Sequence, residues 1–345
     1  MAVFTWRSSH CASAGLLAGL IAAGSGACGG PTASHAAVQR SSRPGWGARV
    51  ALAIDVHAPQ SLADFPVPIR ITPDRFDLHR IAADGHDLRF TDSAGVDLPF
   101  EVEAMTPSHG GLVWVRVPAL GHGATRLEMY FDNPKAPYLA DRETRNVWRA
   151  GFTGVFHCIG DGIDSSPAAA VTGVVGTNPA DGVFGEALYF ATQKADALTA
   201  TLAPSAGDRT LCAWVRPDGI DGIARIAGAT GFALDRDRGS LACNDAIAPN
   251  ALAVETWRYA CCVHHHGFDA VFVDGVATGR PGRSSDHAPG AAFEVGGRHG
   301  EPPAKRFAGV IDEVRVSSVA RDAAWLAAET ATKDDVVTFG AIENL

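Results

Sequence analysis

Two adjacent carboxylates, Asp312 and Glu313, lie in the stretch GVIDEVRVSS, which has the residue pattern of a β-strand. Paired carboxylates serve as acid and base in most glycoside hydrolases, where both must flank one scissile bond. Alternation along a strand places Asp312 with Val310 and Val314 on one face, and Glu313 with Arg315 on the other. The pattern therefore predicts that the two carboxylates point to opposite faces and have a structural role.

Asp312 is the predicted structural carboxylate of this pair. It shares its face with valines, so we expect it to be buried and to accept hydrogen bonds from backbone N–H groups of a nearby loop. Glu313 is expected to pair with Arg315 or with solvent, so that its loss costs little. The stretch also lacks the glutamate-aspartate-glutamate strand motif of glucanases, and no catalytic residue is assigned.

Two further groups of residues could bind a cation. Glu101 and Glu103 in LPFEVE share one strand face, although an exposed face near a domain junction explains them equally simply and is the interpretation we favour. His264 and His266 in HHHGF also point the same way, and a metal site there would need a third ligand from elsewhere. A solvated hairpin turn is the alternative that we favour.

Loop aspartates are the candidates for calcium. Asp161, Asp164 and Asp181 lie in predicted loops, and their hard oxygen atoms suit Ca²⁺. No EF-hand spacing is present, and ordinary turn chemistry by aspartate is the alternative. Calcium is thus the one cofactor that the sequence suggests, with Asp161 and Asp164 as its loop ligands.

The elements that must position these residues are short strands. In RVALAIDVHAP, GLVWVRVPAL and TRLEMYFDNP apolar residues alternate with polar ones, as in half-buried strands of an antiparallel sheet. Strand patterns resume after a polar, proline-containing break and continue to the end of the chain. The one convincing helical stretch is ARDAAWLAAET. Many short strands separated by turns predict an all-β protein of two β-sandwich domains.

The first residues predict export. Arg7 precedes an apolar run of small residues and leucines that ends in SGAC, as in a signal peptide. The cysteine of that box, Cys28, is the predicted site of lipidation, although Ser25 departs from the usual leucine or valine. Cleavage after Ala36 is the alternative. The localisation expected from this is the cell envelope, as a lipid-anchored, periplasmic or extracellular protein.

Charge and cysteine content narrow the class of protein further. The formal net charge is -9 and no basic stripe occurs, so a nucleic-acid partner is not expected. Beyond the signal region five cysteines remain, each inside an apolar strand-like run, and we interpret them as small buried hydrophobic residues rather than a disulfide framework. Those cysteines are Cys158, Cys212, Cys243, Cys261 and Cys262.

Two resemblances follow from the motifs. DFPVPIRI, ADGHDLRFTD, LPFEVE, VWVRVPAL and MYFDNP resemble, in order and spacing, bacterial domain-of-unknown-function family 2341. VFHCIGDGIDSS, GVFGEALYF, LCAWVRP, FVDG and FAGVIDEVRVSSVAR resemble the laminin-G and concanavalin A-like lectin superfamily, which implies a two-sheet jelly roll. The expected organisation is a signal peptide (1–27), a flexible tether (28–45), the uncharacterised domain (46–135), a linker (136–150) and the lectin-like domain (151–345).

The resemblance implies a fold but no single activity, because this fold carries lectins, hydrolases and lyases alike. We expect a non-catalytic binding protein, held to a membrane by a lipid anchor, that recognises a glycan or another surface polymer. A glycan-active hydrolase or lyase with an unrecognised site is the alternative. Some members of the first family carry a proton-channel subunit, so an accessory subunit of an ExbB/TolQ-like envelope complex is a third hypothesis.

Overall fold

The structure is a computed structural model that describes residues 43–121, 123–160, 162–191, 196–298, 300–302 and 305–345. For Arg142 the backbone alone is described. Residues 41–345 form one compact unit. No helix in the described part of the chain is long and apolar enough to cross a membrane. The predicted leader, Cys28 and the tether as far as residue 42 lie outside the described residues.

Strands dominate both halves of the described chain, as the sequence predicts. The strands of the first half are β1 (Ala48–Ile54), β2 (Leu62–Ile71), β3 (Arg89–Asp92), β4 (Asp97–Leu98), β5 (Phe100–Thr106), β6 (Gly110–Leu120) and β7 (Thr125–Phe131). The strands of the second half as far as its first hairpins are β8 (Phe152–Phe156), β9 (Thr172–Val175), β10 (Asn178–Asp181), β11 (Glu186–Phe190), β12 (Ala197–Thr201), β13 (Arg209–Pro217), β14 (Ile223–Ala229) and β15 (Phe232–Asp237). The remaining strands are β16 (Ser240–Cys243), β17 (Ala246–Ala248), β18 (Arg258–His265), β19 (Phe268–Val273), β20 (Val276–Arg283), β21 (Ala292–Val295), β22 (Gly309–Ser317) and β23 (Val337–Asn344).

Helical structure is limited to a few short segments. Helix α1 (Asp141–Thr144) and the 3₁₀ turn Arg145–Trp148 lie in the predicted linker, and a further 3₁₀ turn spans Leu78–Arg80. Helix α2 (Ala323–Ala331) begins at Asp322, whose carboxylate accepts the Trp325 N–H as an N-cap. The predicted helical stretch ARDAAWLAAET therefore contains all of α2 except its last residue, Ala331.

Four sheets make up the two sandwiches, and all strand pairs described are antiparallel. In the first half, sheet A has the order β23-β1-β7-β3-β4 and sheet B the order β2-β6-β5. In the second half, sheet C contains β10-β11-β22-β13-β18-β19-β20, with β8 beside β22, and sheet D contains β17-β16-β15-β14-β21-β12-β9. Sheets C and D are joined through the single pairing of Ile247 with Arg280.

The central strands of sheet C, β22, β13 and β18, are buried on both faces, which explains why they lack polar alternation. On β13, Leu211 and Val215 belong to the core between sheets C and D, whereas Trp214 belongs to a core shared with sheets A and B. All described positions of β13 except Arg216 are buried. A strand packed on both faces carries apolar residues at every position. The two sandwiches therefore share a core, which includes Trp148 from the predicted linker.

The last strand of the chain belongs to the first sandwich. β23 follows α2 and pairs along β1, with Val337 opposite Ile54 and Asn344 opposite Ala48. This pairing covers an edge of sheet A that would otherwise expose unpaired backbone groups. The predicted boundary at residue 151 thus separates the strands of the two sandwiches except for this returning strand.

Two disulfides correct the expectation of unpaired cysteines. Cys212 on β13 is bonded to Cys261, its direct neighbour on β18, and Cys243 on β16 is bonded to Cys262. Successive residues of β18 point to opposite faces, so Cys261 faces the shared core and Cys262 faces sheet D. Composition could not show this pairing, because strands distant in sequence bring the thiols together. Cys158 is free and buried.

Candidate functional site

A β-bulge on β22 overturns the predicted separation of Asp312 and Glu313. Cys212 pairs with Arg315 and Trp214 with Asp312, so β22 carries one residue more than β13 between these pairs. Glu313 takes up the extra position with a φ of 49°. A bulge resets the alternation of a strand. Asp312, Glu313 and Arg315 therefore all lie on the side of sheet C that faces sheet B.

Asp312 is completely buried beneath the loop that joins β10 and β11. Its Oδ2 accepts the N–H groups of Val183 and Phe184 at 2.7 and 3.0 Å. Gly182 permits this approach, because a Cβ at that position would lie 2.6 Å from Asp312 Oδ2. Loop N–H groups are thus the donors, as the sequence analysis expects of this residue. Burial, together with the negative charge of Glu313, raises the pKa of Asp312 to about 7.

Glu313 is also completely buried, which corrects the expectation that it is exposed and contributes little to stability. Its Oε1 lies 2.6 Å from Nδ1 of His157, the first residue after β8. Its Oε2 accepts from the Arg315 guanidinium at 2.7 and 3.1 Å. The sequence correctly indicates Arg315 as a partner but does not indicate His157.

Glu101 and Glu103 on β5 meet His157 from the opposite sheet. Nδ1 of His157 is 3.4 Å from Oε2 of Glu103, and its Nε2 is 3.6 Å from Oε2 of Glu101. The Glu103 side chain is 1% exposed and that of Glu101 16%. The two residues do share a face, but that face is an interior one. The favoured interpretation of an exposed strand face is therefore wrong, because sheet C covers it.

We call the group formed by Glu101, Glu103, His157, Glu313 and Arg315 the inter-sheet cluster. Two tryptophans donate hydrogen bonds to its carboxylates. The indole N–H of Trp148 donates to Glu101 Oε2 and that of Trp114 donates to Glu103 Oε2, both at 2.5 Å. The Arg315 guanidinium carbon lies 4.6 Å from the centre of the Trp114 ring and 4.9 Å from that of Trp148. Both contacts are within the range of cation–π attraction.

The cluster extends to helix α2 through a fourth carboxylate, that of Glu329. Nη1 of Arg315 donates to Glu329 Oε1 at 3.1 Å, and the hydroxyl of Tyr259 donates to Glu329 Oε2 at 2.9 Å. Glu329 is 4% exposed. The buried guanidinium of Arg315 therefore contacts helix α2 as well as the rings of Trp114 and Trp148.

The protonation states of the cluster follow from its surroundings. Burial opposes the charge on His157, but Glu313 and Glu103 outweigh burial and hold the pKa of His157 well above its ordinary value. Burial, assisted by the charge of Glu313, raises the pKa of Glu103 well above its ordinary value. For Glu313 burial is outweighed by His157 and Arg315, and for Glu101 by His157, so both pKa values are lowered.

The inter-sheet cluster has the residue types of an acid–base site but lacks access for a substrate. A glycosidase places its carboxylates on either side of a sugar, in contact with a cleft. Glu103 and Glu313 are instead enclosed between sheets B and C with a histidine between them. What this arrangement can do is hold the two sheets in one relative position.

The triple histidine forms a second group, at the end of the β18–β19 hairpin. His264 is completely buried, with Nδ1 2.7 Å from Asp269 Oδ1 and Nε2 2.9 Å from Asp286 Oδ1. His266 is exposed in the turn itself, with a φ of 47°. The predicted pairing of His264 with His266 as ligands on one face is therefore wrong, since the hairpin turn separates them.

At the surface, the side chain of His266 lies beside that of His265. Nδ1 of His265 lies 2.8 Å from Asp208 Oδ2, and Asp208 Oδ1 accepts the His266 N–H at 3.3 Å. The rings of His265 and His266 have centres 3.9 Å apart. Asp208 precedes β13, which pairs with β18, and no local sequence pattern connects it with the histidines.

The loop aspartates do not form a site together in the described residues. Both oxygens of Asp164 accept hydrogen bonds within the protein, from the N–H groups of Val155, Ser166 and Ala170 and from the Ser166 hydroxyl. Asp164 is 1% exposed, so it organises its own loop. Asp161 lies outside the described residues, and Asp181 lies on β10.

Comparisons with known proteins agree with this fold. Residues 84–153 match the model of a domain of unknown function (DUF2341), and residues 191–327 match the Concanavalin A-like lectin/glucanases superfamily. Both resemblances are confirmed. The all-β class, with its two sandwiches, is confirmed with them. A comparison with curated protein sequences finds no match.

Solved structures with a similar fold include two toxin binding domains and a sialidase. The binding domain of Paraclostridial Mosquitocidal Protein 1 is 13% identical with a TM-score of 0.45, covering 52% of each chain. The botulinum neurotoxin serotype D ligand binding domain in complex with N-acetylneuraminic acid is 8% identical with a TM-score of 0.42, covering 52% of this chain and 50% of that one. A Trypanosoma rangeli sialidase is 12% identical with a TM-score of 0.43, covering 65% and 43%.

The chain thus spans about half the length of these structures or less. Likeness at this identity and TM-score carries no argument about ligand or activity.

Replacing the two carboxylates of β22 tests their burial. Glu313→Ala leaves His157 and Arg315 without a shared counter-charge, so we expect it to lower the free energy of unfolding by roughly 3–5 kcal/mol. Asp312→Ala leaves two N–H groups without an acceptor and should cost roughly 1–3 kcal/mol. Asp334→Ala, at an exposed ion pair with Lys333, is the control and should cost roughly 0–1 kcal/mol. Urea unfolding measures all three, and a Glu313→Ala cost close to the control would contradict this account.

The pKa shifts predict an optimum of stability at weakly acidic pH. His157, Glu103 and Asp312 have raised folded-state pKa values, so the stability that they contribute is lost as the pH rises through those values. Glu101 and Glu313 have lowered values, so their contribution is lost as the pH falls through the folded-state values. The loss from Asp312 and Glu103 begins above their ordinary values of 3.8 and 4.5, and the loss from His157 begins above 6.5, so we expect the highest unfolding temperature close to pH 4.5.

Thermal unfolding from pH 4 to pH 9 is the measurement. His157→Gln removes the main basic proton site, so its unfolding temperature should fall less between pH 6.5 and pH 9 than that of the unchanged protein. His57→Ala, at an exposed histidine, is the control and should keep the original slope. An unchanged slope in His157→Gln would show that the cluster does not set the alkaline limit.

Proposed function

We propose that the second sandwich is a non-catalytic carbohydrate-binding module. Its ligand meets a surface at the end of the β18–β19 hairpin, which we call the hairpin surface: Asp208, His265, His266, Phe268 and Asp286. The observation that carries the proposal is Phe268, an aromatic side chain that is 45% exposed at the first position of β19. Exposed aromatic rings with hydrogen-bonding groups around them suit the alternating apolar and polar faces of a sugar.

Polar residues of the two neighbouring strands flank that ring. Phe268 pairs with His265 on one side and with Arg283 on the other. The guanidinium carbon of Arg283 lies 5.0 Å from the centre of the Phe268 ring. The carboxylate of Asp286 is 60% exposed and that of Asp208 36%. Carboxylates that can accept from hydroxyl groups thus lie next to an apolar surface, as glycan recognition requires.

The hairpin surface is also held rigidly, which favours binding. Asp286 Oδ1 accepts the Gly267 N–H at 2.9 Å and contacts the buried His264, while Asp208 accepts the His266 N–H. A surface whose groups are already positioned loses less entropy when it binds a ligand. The family match of residues 191–327 to lectins and glucanases supports the same class of ligand.

The enclosure of the inter-sheet cluster supports binding without cleavage. Glu103 and Glu313 converge on His157 and are enclosed between two sheets. A hydrolase needs its acid and base at a surface that the substrate reaches. The proposal therefore assigns the paired carboxylates to architecture and the ligand to the hairpin surface.

Location at the cell envelope is a further part of the proposal. The apolar leader and the SGAC box support export and acylation of Cys28, which would tether the glycan-binding module to a membrane. The two disulfides of the second sandwich are consistent with an oxidising compartment.

Substitution of Phe268 tests the hairpin surface. A glycan array identifies a bound carbohydrate, and titration with that carbohydrate should show that Phe268→Ala weakens binding by roughly tenfold or more, as expected for a buried aromatic contact. Tyr138→Ala is a matched control, because Tyr138 is 71% exposed but lies outside the second sandwich. Loss of binding in Tyr138→Ala alone would move the site to the first sandwich. Absence of any carbohydrate ligand would overturn the proposal.

Intact-mass analysis tests the proposed anchor. Protein isolated from its native membrane should begin at Cys28 and carry a diacyl or triacyl modification. Cys28→Ser should abolish the added mass, whereas Cys11→Ser is expected to leave it unchanged because the leader is removed. A mature chain that begins at Ala37 without lipid would instead establish ordinary cleavage after Ala36.

A further inference from the structure

We propose that Asp208, His265 and His266 form a binding site for a divalent transition-metal ion such as Zn²⁺. One potential ligand atom from each residue lies within 4.8 Å of the other two. Two imidazole nitrogens and one carboxylate oxygen are a common set of three protein ligands for zinc, with the fourth position open to water or a ligand. The inference goes beyond carbohydrate binding and does not depend on it.

The geometry requires only a small adjustment to bind an ion. In a tetrahedral site with metal–ligand bonds of about 2.1 Å, ligand atoms are roughly 3.4 Å apart. Asp208 Oδ2 and His265 Nδ1 are 2.8 Å apart in a direct hydrogen bond. An ion replaces the proton that they share, and rotation of the exposed His266 side chain brings the third ligand into range.

The backbone already places His266 next to its partners. His266 and Gly267, with φ values of 47° and 75°, are the two central residues of a tight hairpin turn. Such turns favour asparagine followed by glycine, since both central residues need a positive φ. A histidine there gives up some turn stability and gains a ring beside that of His265, 3.9 Å away between centres.

Hydrogen bonds behind the ligands hold them in position, as in established metal sites. Asp208 Oδ1 accepts the N–H of His266, so the ligand carboxylate also anchors the backbone of a second ligand. Asp286 fixes the next residue of the turn, Gly267, at 2.9 Å. His264 cannot join them, because it is completely buried and its two nitrogens contact Asp269 and Asp286.

Charge also favours a cation at this place. Asp208 and Asp286 are both exposed in part, and the neighbouring cation, Arg209, donates to the carbonyl groups of Gly207 and Ser285 at 2.8 and 2.9 Å. The nitrogen ligands distinguish the expected ion from Ca²⁺, which binds almost entirely through oxygen. The site is thus expected to select Zn²⁺, Co²⁺ or Ni²⁺ over Ca²⁺.

Metal titration of the tag-free, disulfide-intact protein tests the site. After treatment with a chelator, calorimetric titration with Zn²⁺ should show one ion per chain, and Co²⁺ should give the visible absorption of a site with nitrogen ligands. Ca²⁺ should give no heat at the same concentrations. Asp208→Asn, His265→Ala and His266→Ala should each weaken Zn²⁺ binding by roughly tenfold or more.

Two controls make the outcome decisive. His57→Ala removes an exposed histidine whose Nδ1 lies 3.2 Å from Asp55 but which has no second histidine in its group, and it should leave Zn²⁺ binding unchanged. Far-ultraviolet circular dichroism of each variant verifies folding. Unaltered Zn²⁺ binding in a variant that combines Asp208→Asn, His265→Ala and His266→Ala, or no binding by the unchanged protein, would overturn the proposal. Neither result depends on a carbohydrate, so carbohydrate binding is tested separately.

Discussion

The structure depends on the neutralisation of carboxylates that are buried between sheets B and C. Each ionised group there is stable only because an opposite charge or a donor faces it: Glu313 has His157 and Arg315, and Glu101 has an indole N–H in addition to His157. Desolvation of such groups is costly, so the gain from pairing them is modest. Their main consequence is geometric, because the partners come from both sandwiches and must meet in one arrangement.

That geometric requirement explains other features of the chain. The bulge at Glu313 places three charged residues of β22 on one side, where alternation would have sent one of them into the apolar core between sheets C and D. The segment Arg145–Trp148 is folded rather than extended, since the indole of Trp148 must reach Glu101. The return of β23 to sheet A adds a second covalent connection between the two sandwiches.

The two histidine-containing groups differ in solvent access, and this difference determines which of them can bind a ligand. His157 lies among carboxylates but is 4% exposed and enclosed by two sheets. His265 and His266 also lie beside a carboxylate, yet they are at the end of a hairpin next to a half-exposed phenylalanine. The same residue types therefore support the architecture in one place and binding in the other, and solvent access makes the difference.

Local sequence patterns were sufficient for the fold class. Period-two alternation in β1, β6 and β7, frequent turns and one alanine-rich helix predict two sandwiches because strand patterning depends on neighbouring residues alone. The burial of Asp312 under loop N–H groups was also predictable, since an aspartate among valines must find donors. The family resemblances were carried by motifs and needed no structure.

Tertiary structure alone decided the rest, because the deciding contacts join residues far apart in the chain. The sequence cannot show that sheet C is covered on both faces, and so Glu101, Glu103 and Glu313 read as exposed. A single bulged residue reverses the alternation after it, which no local pattern records. The disulfide between Cys212 and Cys261 and the approach of Asp208 to His265 depend likewise on the pairing of strands separated by about fifty residues. Sequence determined which residues could form strands, and packing determined which of their faces meet water.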